Sequence, residues 1–395
     1  MKQRVPFYYN EFGCITSKCK DNCCIGGWEI DIDDETYERY NNMTGELKSR
    51  ILDSITQNED EEYCFKLCDG KCPMLDDNGL CEIHKNLGED YLGVVCKQFP
   101  RYSEYYGIIK ESGIGLACEE AARIILSENR PFSMETAACD EEYEPSSEYD
   151  SSFALQIFAA REAVFKILAK EGLSIHEKLI VILDMGSKIQ QCINTDEYDN
   201  IKSVVNDYLK EGIAHTLDET RNLSDSGQFE DISLQQGIRQ ILYPYEEMEV
   251  LNPEWEVILK DIIDSLFEQM SDEEYNILNE EFGTYMVSRV YEYRQLLEYL
   301  VFRYFAKSIY DYDFLGKCQM LVTNFFVIRQ MDIIRWLDNH REYSFKDRMD
   351  VVHIFSRQVE YSEDNIENLY EDFIFDDIFK TDSLIAILWI DSENI

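Results

Sequence analysis

The sequence predicts a mainly α protein in two parts, an irregular Cys-rich region over 1–140 and an all-α helical bundle over 141–395. Three observations carry this. Eleven of the 13 Cys precede residue 140, with only Cys192 and Cys318 beyond it. After residue 150 the apolar residues recur with the 3.6-residue period of helices in almost every segment. Strand-like alternation is nearly absent from that second part.

The overall balance narrows the function. Of 395 residues, 37 are Lys or Arg and 79 are Asp or Glu, a formal net charge of -42. Such a surface repels phosphate backbones and anionic membranes and favours basic partners, so no nucleic acid and no membrane are expected as partners. With 45% hydrophobic and 13% aromatic residues, the chain can bury a core, and the acidity reads as a solvated surface rather than disorder. Both parts share it, with 15 basic and 27 acidic residues over 1–140 and 22 and 52 over 141–395. The longest apolar runs, such as 321–328, fall short of the roughly 18 residues a membrane helix needs. The opening MKQRVPFYYNEFGC has no apolar h-region and no small-residue cleavage site, so a cytoplasmic address is expected. Oligomeric state is left open.

Taken along the chain, 28–33 (WEIDID) alternates like a short strand, and Asp33 or Asp34 then caps a helix through Thr36 to Tyr40. The Cys-bearing stretches contain Gly and Asn and read as loops, of a kind that a metal centre holds together where a core is small. Residues 140–152, DEEYEPSSEYDSS, read as the connection between domains. Helical patterns follow over 153–169, 178–193, 254–270, 286–310 and 316–337. Ser271 and Ser362, each followed by acidic residues, mark helix starts, while Pro145, Pro244 and Pro253 are placed in connecting stretches. The aromatic run 291–312, with Tyr293, Tyr299, Phe302, Tyr304 and Phe305, reads as core packing rather than a substrate groove, and Trp28 as packing over the metal loops.

In a reducing compartment clustered thiols bind metal or do redox chemistry rather than form disulfides. The first constellation is Cys14, Cys19, Cys23 and Cys24, four thiols in eleven residues, the ligand type that zinc and iron–sulfur clusters select. The second is Cys72 and Cys81, brought together by the turn signal Asp77-Asn78-Gly79, followed by Cys96. Cys118 opens a helix, where the dipole favours a thiolate. Cys64 and Cys68 read as incidental members of a Cys-rich region. His84 follows Cys81 by three residues, but no second histidine pairs with it, so an ordinary role is expected. Four thiolates suit zinc and iron–sulfur alike, and the choice stays open here.

These residues carry a resemblance. The runs FGCITSKCKDNCCIGGWEIDID, GKCPMLDDNGLCEIHKNLGEDYLGVVCKQFPR and GLACEEAARIIL resemble the flagellin lysine-N-methylase family, whose cysteines match Cys14, Cys19, Cys23, Cys24, Cys72, Cys81, Cys96 and Cys118 in order. Cys64 and Cys68 stand outside that pattern. The likeness is closest over 11–126 and continues, less closely, through LLEYLVFRYFAKSIYDYDFLGKCQMLVTNFFVIRQ to residue 337. Part of the first run is also similar to small Cys-rich proteins that chelate zinc or iron. The family resemblance implies methyl transfer from S-adenosylmethionine to lysine side chains of flagellin, with a [4Fe-4S] cluster in the Cys-rich region. A net acidic surface suits a substrate presented through lysines.

Neither a Cys-x3-Cys-x2-Cys signature nor a Gly-rich nucleotide loop after a strand is present, so no S-adenosylmethionine site is located by motif. Arg101, after Pro100, is the candidate for gripping the cofactor's methionine carboxylate, set against an ordinary surface salt bridge. Methyl transfer also needs something to take the lysine's proton; Glu119 and Glu120 stand beside Cys118 but equally suit a solvated helix start. The rival reading is a non-enzymatic protein with zinc in place of the cluster, docking a basic partner through the acidic bundle.

Overall fold

Lys2–Pro6 forms a strand, β1, that buries Val5 and ends on Pro6, where a missing backbone donor does least harm. The computed structural model describes residues 1–20, 22–25, 30–58, 61–141, 150–225 and 232–393. Within them a short hairpin of β2 (Ile55–Gln57) and β3 (Tyr63–Phe65) stands apart from a four-stranded sheet. That sheet adds β4 (Arg101–Tyr106), β5 (Ile109–Ile114) and β6 (Met134–Ala138) to β1, in the order β4-β5-β1-β6. β1 runs parallel to β5, Lys2 opposite Ile109, and antiparallel to β6, Lys2 opposite Ala138. The sequence reading did not foresee this sheet. RYSEYY shows no clean period of two because its polar residues find partners, Ser103 on Ser112 and Glu104 on Lys307, and METAA shows none because 135–138 are all exposed.

The strand expected over 28–33 is corrected in part. Trp28 and Glu29 lie outside the described residues, and with them the expected packing of Trp28. The remainder runs extended beside β3 through isolated links: Ile32 N–H donates to Tyr63 O at 2.7 Å and Phe65 N–H to Ile30 O at 3.0 Å. Asp33 then caps the helix Asp34–Asn42, its Oδ1 accepting Thr36 N–H at 2.9 Å.

From residue 150 on the chain is helical. Ser271 and Ser362 cap Asp272–Met286 and Glu363–Phe375, and Pro253 is the first residue of Pro253–Ile262. Pro145 lies outside the described residues. Pro244, expected in a connection, stands instead in the last turn of Leu234–Glu246, so only the final part of that helix lacks its donor. Phe314–Asp338 is buried on every side, as a helix at the centre of a bundle must be, and packs along Ile175–Asn194. All five aromatics singled out in the 291–312 run are buried core. Among the described residues no helix is long and apolar enough to cross a membrane.

The apolar side chains gather into two cores. The larger unites the sheet, through Tyr8, Tyr106 and Ile114, with the helices after residue 150. The smaller is built from Ile30, Ile32, Tyr40, Met43, Ile51, Phe65, Cys72, Met74 and Ile83. The connector expected over 140–152 falls mostly on 142–149, outside the described residues.

Candidate functional site

A cavity of about 650 Å³ opens between the cores, its wall taking Phe12 and Cys118 from the larger side and Ile30, Tyr40, Phe65 and Met74 from the smaller. Cys14, Cys19, Cys23, Cys24, Cys72, Cys81, Cys96 and Cys118 all stand on that wall. Cys64, buried on β3, and Cys68, exposed beyond it, do not.

Separate segments deliver these thiols, and backbone hydrogen bonds join the segments. The first constellation is carried on single 3-10 turns at Thr16–Lys18 and Cys23–Ile25, held at two points. Cys19 Sγ donates to Glu119 Oε2 at 3.2 Å and Lys20 N–H to the same oxygen at 2.9 Å, so Glu119 latches this loop to the helix Glu119–Leu126. Cys72 N–H donates to Cys24 O at 2.8 Å, tying the first constellation to the second. The expected turn closes as Asp76–Gly79: Asp76 Oδ1 accepts Asn78 N–H and Leu80 N–H at 2.9 Å each, and Gly79 takes a φ of +72°. Leu75, rather than Cys72, then bridges to Cys81. Cys96 lies in the helix Val94–Gln98, and Cys118 is the N-cap of Glu119–Leu126.

Burial holds three of these thiols, Cys72, Cys96 and Cys118, in the protonated form. Burial pushes Cys72 up to about 11. Cys96 keeps accessible surface where the cavity opens beside it, yet is packed closely enough that burial pushes it to about 12. The expectation that the helix start would favour a Cys118 thiolate is corrected: burial raises it to about 11, outweighing the backbone N–H groups of Ala121 and Glu120 that pull the other way. Cys23 and Cys24 share a hydrogen bond that holds Cys23 down and drives Cys24 up. Among the described residues no three His, Cys, Asp or Glu side chains converge tightly enough to hold a metal ion. The eight thiols therefore ring a space rather than point at one spot.

Arg101 stands on the same wall, its guanidinium 4.8 Å from the ring centre of Phe12 and its Nη2 donating to Phe12 O at 3.4 Å. Among the described residues it makes no ion pair, so the salt bridge set against a cofactor role is not what occupies it. Glu120 lines the cavity already paired to Arg123, at 2.7 and 2.8 Å. His84 also stands on the wall, a placement that its lack of a histidine partner in the sequence did not signal.

Residues 161–387 match the model of a family described as the FliB lysine N-methylase C-terminal domain. A stretch of 129 residues, 31% of the chain, is 32% identical to the flagellar biosynthetic protein FliU of Salmonella muenchen and covers 76% of it. Over the same length the chain is 32% identical to lysine-N-methylases of Salmonella typhimurium and Salmonella choleraesuis, covering 32% of each. The match thus spans about a third of the length of those two methylases. No solved structure matches. The family match lies on the helical part, whereas the resemblance in the sequence is closest over 11–126.

Proposed function

Given that the chain belongs to the FliB lysine N-methylase family, we propose that it transfers methyl groups from S-adenosylmethionine to lysine side chains of flagellin in the reducing cytoplasm. One observation carries the reading furthest: the eight cysteines on which the sequence resemblance rests line a single cavity together with an arginine that has no carboxylate partner among the described residues. At about 650 Å³ the space is of the size that small-molecule sites have, between roughly 300 and 1,000 Å³. A flagellar protein among the relatives, by its name, and a net charge of -42 that attracts amines both favour flagellin lysines as the substrate.

The chemistry of the donors suits a [4Fe-4S] cluster, because thiols delivered by several segments are what such clusters take as ligands, and zinc would accept the same set. The four ligands of such a cluster would come from among Cys14, Cys19, Cys23, Cys24, Cys72, Cys81, Cys96 and Cys118. S-adenosylmethionine, when bound, supplies a methyl on a sulfonium, whose carbon–sulfur bond breaks as the carbon–nitrogen bond to lysine forms. Arg101 would hold the cofactor's carboxylate through its planar fork. Phe12, Phe99 and Met74 give the cavity an apolar wall. A lysine must enter as the free amine, and of the lining side chains His84 and Glu89 are bases without an ion pair among the described residues.

The test is to purify the full chain without oxygen, measure iron, acid-labile sulfide and zinc per chain, and incubate it with flagellin and S-adenosylmethionine. Methylated lysines found by mass spectrometry, lost on replacing Arg101 by Ala, support the reading. Zinc without sulfide removes the cluster, and unmodified flagellin at full cofactor loading removes the activity.

A further inference from the structure

The wall that carries Cys118 is a turn with little side chain of its own. At Gly115 an added Cβ would stand 2.8 Å from Tyr361 Oη and 3.2 Å from Arg303 Nη1, so both groups rest directly on the turn's backbone. One residue on, Leu116 N–H donates to Tyr299 Oη at 3.4 Å. The same turn is closed by Gly115 N–H to Pro100 O at 2.8 Å and Cys118 N–H to Gly115 O at 3.2 Å. Whatever fixes Gly115 and Leu116 therefore fixes Cys118 and the Pro100–Arg101 corner together.

Tyr299, Arg303 and Tyr361 all come from the helical part, inside the stretch that matches the family. Arg303 is the hub. Its Nη1 donates to Tyr299 Oη and its Nε to Tyr304 Oη, each at 3.0 Å, and Nε pairs with Glu360 Oε2 at 3.0 Å. Tyr299 and Tyr304 both donate to that Glu360 oxygen at 2.9 Å. Tyr102, Tyr304 and Tyr361 place their rings 4.5, 5.5 and 5.7 Å from the guanidinium carbon. A cluster of this kind is costly to desolvate, and apolar residues of similar volume would serve stability as well or better. What it supplies is a guanidinium held in one orientation against the backbone of one turn.

We propose that Arg303 is a positioning residue for the cavity: with Tyr299 and Tyr361 it holds the 115–118 turn, so that the helical part sets where Cys118 stands. This rests on the reading that the cavity's cysteines hold a metal group, and it adds to that reading how the two cores are coupled. Among the described residues no hydrogen bond joins Arg303 to a cysteine, so it acts through the turn.

The test uses the full chain, reduced and freed of metal by a chelator, as wild type, Arg303→Gln and Tyr299→Phe. Alkylation by iodoacetamide is followed at each cysteine by peptide mass spectrometry. Cys118 should react about tenfold faster in Arg303→Gln, on the scale of the 10–100-fold effects that supporting residues have at metal sites, while Cys14 keeps its rate and far-UV circular dichroism is unchanged. Faster reaction at every cysteine would mean that Arg303→Gln loosens the whole chain, and Tyr299→Phe, which removes one hydroxyl, then decides. An unchanged Cys118 rate in both variants overturns the positioning role. Metal retention in chelator is read in parallel on protein purified without oxygen. A wild type holding neither iron nor zinc overturns the metal reading instead, and the alkylation result still decides the role of Arg303.

Discussion

Arg294 and Glu298 sit one turn apart on the helix Val290–Tyr304 and pair at 2.6 Å with the carboxylate almost wholly enclosed. Burial pushes Glu298 up to about 7 in spite of Arg294 and Lys178, which pull it down. An acid whose folded pKa exceeds its unfolded value of about 4.3 binds its proton more tightly when folded, so stability falls as pH rises from about 4 to about 7 and is level above that. Glu298→Gln removes this dependence. Between pH 5 and pH 8 the variant should gain about 2–3 kcal/mol relative to wild type in urea unfolding, and parallel pH profiles would contradict it.

Arg161 and Glu111 form a two-pronged pair, 2.6 Å at each prong, with both side chains buried where β5 meets the helix Ser151–Leu168. Removing Arg161 leaves the buried carboxylate, among the described residues, only the longer contact to Arg4, whose Nη1 stands 3.6 Å from Glu111 Oε1. Arg161→Met should therefore cost about 3–5 kcal/mol in denaturant unfolding, and adding Glu111→Gln should return a large part of that. If the double variant is as unstable as the single one, the loss comes from packing and not from the stranded charge.

Gly186 lets two helices approach closely: a Cβ there would lie 2.5 Å from Cys318 Sγ. Gly186→Ala should cost about 1–3 kcal/mol, since the buried sulfur has nowhere to move. In a Cys318→Ala background the same change should cost at least about 1 kcal/mol less, because the closest clash is gone, the Cβ at 318 standing 3.2 Å away, and alanine's helix preference remains. Equal costs in both backgrounds would show that the crowding lies elsewhere.

Serine scanning separates the cavity's thiols from their neighbours. Cys72→Ser, Cys81→Ser and Cys96→Ser should each lower iron or zinc per chain in protein purified without oxygen, and Cys64→Ser and Cys68→Ser should leave it near wild type. Equal metal loss from the second pair would move the site off the cavity wall.

Helices such as Ser151–Leu168 and Ile175–Asn194 are legible because the apolar period runs over several turns, and Ser271 and Ser362 announce two further starts. Met134–Ala138 is not, since its partner strand lies more than a hundred residues away in sequence and 135–138 are exposed whether polar or apolar, so no alternation of buried and exposed residues marks it. At the site, residue type and spacing single out the eight cysteines. That they share one wall depends on pairings no local pattern encodes, such as Cys72 N–H to Cys24 O. Arg303 is invisible for the same reason: on its helix it reads as one more charged residue, and its meaning comes from a glycine nearly two hundred residues earlier.

The placement of β1 has a consequence for how the chain opens. Because β1 is flanked by β5 and β6, the intervening cysteine-bearing stretch leaves the sheet and comes back to it as an excursion carrying its own nine-residue core. Such a unit can come apart while the sheet and bundle stay closed, since few of the main core's contacts run through it. In deuterium exchange, protected amides over 30–92 should then fall into a faster class than those of Phe314–Asp338, and a group seated among the thiols would merge the two.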